Sequence, residues 1–117
     1  MAWEVITTDE YDAWFLEQAD DGQASIQMKV EFLKEYGPHL PRPHADTLKW
    51  SKLRNLKELR AHTDSNVFRI AFLFDEERKA VLLIGGDKKG KNEKRFYKSL
   101  IKQAEEIYRQ YIDERRY

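Results

Sequence analysis

The stretch LLIGGDKKGKN, Leu82 to Asn92, carries an apolar run into Gly85-x-x-x-x-Gly90-Lys91. It stops one residue short of a nucleotide-binding P-loop, which has Ser or Thr where this chain has Asn92. The two readings lead to different folds. A P-loop joins a strand to a helix in a parallel sheet and needs a hydroxyl for magnesium and a later acidic strand end. Here 25 residues follow Asn92 and read as one helix, so no strand remains for a βαβ unit. The Gly85-Gly86 pair reads instead as a tight bend that ends a strand and opens a basic loop.

The neighbouring segments agree with the second reading. Before the stretch come LKELRA (56–61), VFRIAFLFD (67–75) and AVLLIGGD (80–87), each of strand length, separated by the polar loops HTDSN and EERK. After it, Phe96, Leu100, Ala104, Ile107, Tyr108 and Tyr111 form one apolar stripe of a helix over 94–112. Towards the N-terminus, Trp3–Thr7 reads as a short strand, and Thr7-x-x-Glu10 matches a capping box. Tyr11, Trp14, Phe15 and Ala19 follow at helical spacing. Asp20-Asp21-Gly22 breaks that helix. A second helix carries Ile26, Val30 and Leu33 and ends at Tyr36-Gly37-Pro38. The connection PHLPRPHADTLKWSKLRN (38–55) is long enough to hold local structure of its own. The order is β-α-α-β-β-β-α: an α+β fold with an antiparallel sheet packed by helices, expected to form one domain over residues 1–117.

Composition narrows the class. The 117 residues include no cysteine, which excludes disulfides, thiolate metal sites and a cysteine nucleophile. No apolar run approaches the roughly 20 residues of a membrane helix. AWEVITTDEYD does not resemble a signal peptide, so a cytoplasmic chain with no membrane partner is expected. The zero net charge hides an asymmetry. Residues 1–36 carry 9 acidic and 2 basic side chains, and residues 37–117 carry 12 acidic and 19 basic ones. Such a split suggests a two-sided molecule whose basic part can meet phosphates.

Within that basic part, Lys49, Lys52, Arg54, Lys57, Arg60, Arg69, Lys88, Lys89, Lys91, Lys94 and Arg95 would converge if the sheet forms as read. Strand parity places Arg69, Ala71 and Leu73 opposite the apolar set Phe68, Ile70, Phe72 and Phe74. Arg60 shares a face with Leu56 and Glu58. If the two strands pair as a hairpin, Arg60 and Arg69 flank its turn on one, less covered, face. Trp50 lies among these cations. It is positioned to stack on a base, although large aromatics more often pack. Tyr97 faces the same choice between a phosphate and the core, and its spacing favours packing. His39, His44 and His62 sit in loops or turns with no ligand spacing around them, and no metal site is expected.

The phrases RPHADTLK, NLKELR, FRIAFLFD and LIGGDKKGKNEKRFY, in that order, resemble the RelE/ParE superfamily of bacterial toxins, in particular its HigB-like, phage Gp49-related branch. The resemblance spans Trp3 to Ile112. It implies a RelE-like, microbial-ribonuclease-type fold and the toxin half of a type II toxin–antitoxin pair. It also implies a ribosome-dependent mRNA endoribonuclease that uses no cofactor and no metal. In that reaction the ribose 2′-OH attacks the adjacent phosphate. The implied partners are a cognate helix-turn-helix antitoxin and mRNA on the ribosome.

Carried onto matching positions, the resemblance makes Arg60 a phosphate contact and Arg69 the stabiliser of transition-state charge. Lys88 and Lys89 become basic or acid–base residues, and Tyr97 a stacking or proton-relay residue. Lys49, Trp50, Lys52, Arg54, Lys57, Lys91, Lys94 and Arg95 form the implied RNA or ribosome surface. The histidine that some HigB toxins carry near the chain end has no counterpart here. The general base is therefore unassigned, and Lys88 or Lys89 would serve only with a depressed pKa. Two other functions suit the same fold: a ParE-like inhibitor of DNA gyrase, and a catalytically inactive antitoxin-binding module.

Overall fold

The strand that carries Phe68, Ile70 and Phe72 on one side and Ala71 and Leu73 on the other is β4 (Val67–Phe74). Both sets are buried, so the sheet is built around a strand with protein on each face. The computed structural model describes residues 2–115. Before β4 come β1 (Val5–Thr7), α1 (Asp9–Leu16), α2 (Asp20–Tyr36), β2 (Ala45–Thr47) and β3 (Lys57–His62). After it come β5 (Ala80–Asp87) and α3 (Glu93–Arg115).

In space the strands lie in the order β1-β5-β4-β3-β2. The α+β class and the antiparallel β3-β4-β5 core are as expected. Two features extend them. The long proline-containing connection holds β2, which pairs antiparallel with β3. The first strand pairs parallel with β5, so the sheet is mixed. A parallel neighbour needs a long crossover, and everything between β1 and β5 supplies one.

Helices cover both faces. Tyr11 of α1 and Ile26, Val30 and Leu33 of α2 pack on Leu59, Phe68, Ile70, Phe72 and Leu82. On the other face, Phe96, Leu100, Ile101 and Ala104 of α3 pack on Leu56, Ala71, Leu73, Val81 and Leu83. The face expected to be less covered is thus a second core. Each such aliphatic or aromatic side chain contributes about 1.5–3 kcal/mol on burial, so this stripe is what holds α3 to the sheet.

Several local expectations change for reasons of packing. Thr8, not Thr7, caps α1: its Oγ1 accepts from Tyr11 N at 3.1 Å and donates to Leu83 O at 2.7 Å. Asp20-Asp21-Gly22 is the first turn of α2 rather than a break. A Cβ on Gly22 would lie 3.1 Å from the Phe68 ring. Gly85 and Gly86 do not bend the chain. They sit inside β5, opposite Ile70 and Arg69. Trp14 of α1 occupies the space a Cβ on Gly85 would fill, and a Cβ on Gly86 would come 3.0 Å from Phe96 of α3. The turn comes later, at Lys88–Lys91, with Gly90 at φ 71°. Asn92, the residue that spoils the P-loop pattern, caps α3 by accepting from Arg95 N at 3.0 Å through Oδ1.

Candidate active site

Register brings the first two candidates together. In the β3–β4 ladder Arg60 lies directly opposite Arg69, and Glu58 opposite Ala71. Period-two alternation puts Glu58 and Arg60 on the α3 face, away from the acidic α1–α2 layer. Like charges directly opposite each other are destabilising, so this pair needs an anion, and Glu58 is that anion. Glu58 is 3% exposed, and a buried carboxylate is tolerated only when it is paired and hydrogen-bonded. Arg60 donates to Glu58 Oε2 from Nε at 3.1 Å and from Nη2 at 2.9 Å. Arg69 Nε lies 3.6 Å from Glu58 Oε1.

The third member comes from α3. Tyr97 stands in its first turns and faces the sheet because Asn92 fixes where the helix starts. Its hydroxyl donates to Glu58 Oε1 at 2.7 Å and accepts from Arg69 Nε at 3.2 Å. Burial, then the hydrogen bond and charge of Glu58, push its pKa up to about 12 against the opposing pull of Arg69. Tyr97 is therefore a neutral phenol at ordinary pH. Arg69 is also fixed by Nη1 donating to Phe68 O at 2.9 Å. Arg60 reaches Asp46 of β2, with Nη2 3.3 Å from Oδ2. Burial opposes its charge, but Glu58, Tyr97 and Asp46 more than offset this and raise its pKa.

Lys88 completes the group from the turn after β5. Its Nζ is 5.5 Å from the Tyr97 ring centroid and donates to Glu93 Oε1 at 2.6 Å. That bond holds the Glu93 carboxyl below its ordinary range. Lys89 turns the other way and donates to Asp64 O in the β3–β4 turn at 2.7 Å.

Four candidates, Arg60, Arg69, Lys88 and Tyr97, thus form one cluster. The rest do not join it. Lys57 alternates with Glu58 and faces the α1–α2 side. Lys91 lies over the Phe96 ring, and Arg95 lines a groove towards α1. Lys94 is exposed on the first turn of α3. Lys49, Trp50, Lys52 and Arg54 belong to a loop tied to the middle of α3. There Glu105 Oε2 accepts from Ser51 Oγ at 2.9 Å and from Lys52 N at 2.7 Å. Glu105 is two helical turns, about 12 Å, from Tyr97. Trp50 does not cap the core: it is 83% exposed. Sequence reasoning missed Glu58 and Glu93 as site members. The signal for Glu58 was its parity with Arg60. Glu93 has no such mark.

The cluster can receive a phosphodiester on its guanidinium groups while a neutral phenol and a carboxylate stand within proton-transfer distance of each other. Over residues 13–109 the chain matches the family model described as Phage derived protein Gp49-like (DUF891). It is 40% identical over 102 residues to "Putative toxin HigB3" of Mycobacterium tuberculosis (strain ATCC 25618 / H37Rv), covering 87% of each chain. It is 37% identical over 84 residues to "Putative toxin HigB2" of the same organism, covering 71% of this chain and 41% of that protein. A mutant of E. coli toxin RelE in the free state superposes with a TM-score of 0.54 over 86% of this chain and 95% of that one. At 14% identity that likeness speaks for the fold alone. The chain belongs to the Gp49-like family, among the HigB-like toxins.

Proposed function

We propose that this HigB-like toxin is a ribosome-dependent mRNA endoribonuclease whose catalytic cluster is Arg60, Arg69, Lys88, Tyr97 and Glu58. The 2′-OH loses its proton, its oxygen bonds to the adjacent phosphorus, and the P–O5′ bond breaks. The departing 5′ oxygen takes up a proton from the Lys88 ammonium, leaving a cyclic phosphate and a free 5′-OH. Arg69 and Arg60 stabilise the charge that builds on the phosphoryl oxygens. Lys88 exchanges its solvent-exposed partner Glu93 for a phosphate. Glu58 accepts the 2′-OH proton through Tyr97, whose phenol already donates to it. This fills the role of base that Lys88 and Lys89 left open.

The observation that carries the reading is the Arg60–Glu58–Tyr97–Arg69 network, in which the β3–β4 hairpin and the distant helix α3 meet at one carboxylate. Its partners are mRNA on the ribosome and a cognate antitoxin with a helix-turn-helix domain. The test is induced expression with mapping of transcript ends, run beside Arg69→Ala. Codon-linked cleavage of translated mRNA that disappears in the variant supports the reading. Undiminished cleavage in Arg69→Ala sinks the assignment.

A second reading, an antitoxin-binding module that cleaves nothing, draws on one specific feature. Arg60, Arg69 and Lys88 each already face a carboxylate, so the cluster is nearly neutral as it stands. Harmless expression of a well-folded chain would favour it.

A further inference from the structure

Three carboxylates face the cations of the cluster, and they are held differently. Glu58 bridges both guanidinium groups with a side chain 4% exposed. Asp46 is shared between Arg60 and Arg42, at 3.3 and 3.4 Å, with a side chain 33% exposed. Glu93, the first residue of α3, has a side chain 69% exposed. Among the described residues its one ion pair within 4 Å is with Lys88, from Nζ to Oε1 at 2.6 Å. Glu58 cannot leave without stranding two guanidinium groups that face each other. Glu93 can, because its exposed carboxylate is readily hydrated.

Lys88, by contrast, is fixed. Its main-chain N donates to Val67 O at 2.8 Å, and its carbonyl accepts from Lys91 N at 3.1 Å. Its Nζ lies 5.5 Å from the Tyr97 ring centroid, and its side chain is only 21% exposed. The ammonium therefore stays beside the phenol whichever anion it meets. The hydrogen bond and charge of Lys88, and beyond them the charges of Arg69 and Arg60, hold the Glu93 carboxyl below its ordinary range. Glu93 thus lies in the field of all three cations, the field that would draw in a phosphate.

We propose that Glu93 is a specificity-determining residue: an internal anion that occupies the phosphate seat beside Lys88 and lowers the affinity of the cluster for free RNA. The inference rests on the reading of the cluster as an RNA-cleaving site and deepens it. A phosphate enters by displacing the carboxylate, so free RNA binds against a tethered competitor. RNA presented by a second surface arrives at high effective concentration and displaces it readily. In the proposed reaction the ribosome is that surface. The near-neutral charge of the cluster is then its resting state, and a preference for presented over free RNA follows from it.

The experiment measures binding of a labelled single-stranded 2′-deoxy oligonucleotide, which has no 2′-OH to react, by fluorescence anisotropy at low salt. Glu93→Gln keeps the side-chain length and removes the charge. It is expected to lower the Kd about fivefold. In a Lys88→Ala background the same substitution should gain less than about twofold, because the seat it frees is gone. Carbon NMR of the Glu93 carboxyl gives a second readout. Saturating oligonucleotide should raise its pKa towards that of an ordinary carboxylate as Lys88 changes partner. A gain undiminished without Lys88, or a Glu93 pKa that stays depressed in the complex, overturns the inference. An unchanged Kd in Glu93→Gln, with binding that still weakens in Arg69→Ala, overturns it while the RNA-site reading stands. Binding indifferent to Arg69→Ala, or no binding by Glu93→Gln, overturns both.

Discussion

Arg60 and Arg69 are held by a buried carboxylate, whereas Lys49, Lys52 and Arg54, two turns further along α3, stand in solvent. Among the described residues, none of those three makes an ion pair within 4 Å. The two regions looked alike in sequence, as basic residues near an aromatic. They differ in what their geometry suits. The first is rigid, with each guanidinium fixed by two or three acceptors, as transition-state stabilisation requires. The second is a loop, tied through Ser51 and Lys52 to Glu105, that presents Trp50 and exposed cations outward. That arrangement suits sequence-tolerant contact with nucleic acid, where stacking and counterion release supply affinity.

The most severe way to break this contrast is Glu58→Ala. It leaves Arg60 and Arg69 facing each other, and Arg69 is mostly buried. Removing one partner of a buried ion pair costs about 3–5 kcal/mol, to be read from urea unfolding. A loss below about 1 kcal/mol would show that the cluster is not held together by Glu58. Next comes Arg69→Ala, expected to lower the cleavage rate about 10²–10³-fold. Its urea midpoint should fall less than that of Glu58→Ala, since Glu58 keeps Arg60. A rate within about threefold of the parent would remove Arg69 from the chemistry.

Trp50→Ala tests the other region. It should weaken RNA binding by about 1–3 kcal/mol while stability stays within about 0.5 kcal/mol, as for other exposed positions. A large stability loss with unchanged RNA affinity would reverse the contrast. The smallest effect is expected at alkaline pH. The folded-state pKa of Tyr97 is raised from 10.0 to about 12. Its contribution to stability is complete below pH 10 and is lost as pH rises through about 12. Tyr11, raised by burial and by Asp12, acts in the same direction. Tyr97→Phe should therefore flatten, not abolish, the alkaline fall in stability. An identical pH profile in that variant would contradict the hydrogen bond to Glu58.

Much of this was legible from local pattern. Alternation in VFRIAFLF marked β4, and the stripe from Phe96 to Tyr111 marked α3, because each follows from the geometry of a single element. Arg60 opposite Arg69 followed from strand parity and a short turn. The roles of Gly85 and Gly86 did not, since an adjacent glycine pair most often signals a bend. Here each glycine is small because an aromatic from a different helix presses on it. Trp50 misled for a related reason: size and hydrophobicity favour burial, but nothing in the surrounding residues says whether the core has room.

The amino-acid sequence by itself determined the order of the elements other than β2, the main apolar faces and the family resemblance. Tertiary structure alone decided that β1 runs parallel beside β5 and pairs with it only as far as Leu82. It alone placed Glu58, Arg60, Arg69 and Tyr97 around one carboxylate and drew Lys49–Arg54 away to Glu105. The physical reason is that a buried charge selects its partners by distance in space. Residues 58 and 97 carry no mark of one another until α3, seated by its apolar stripe, brings the phenol onto the acid.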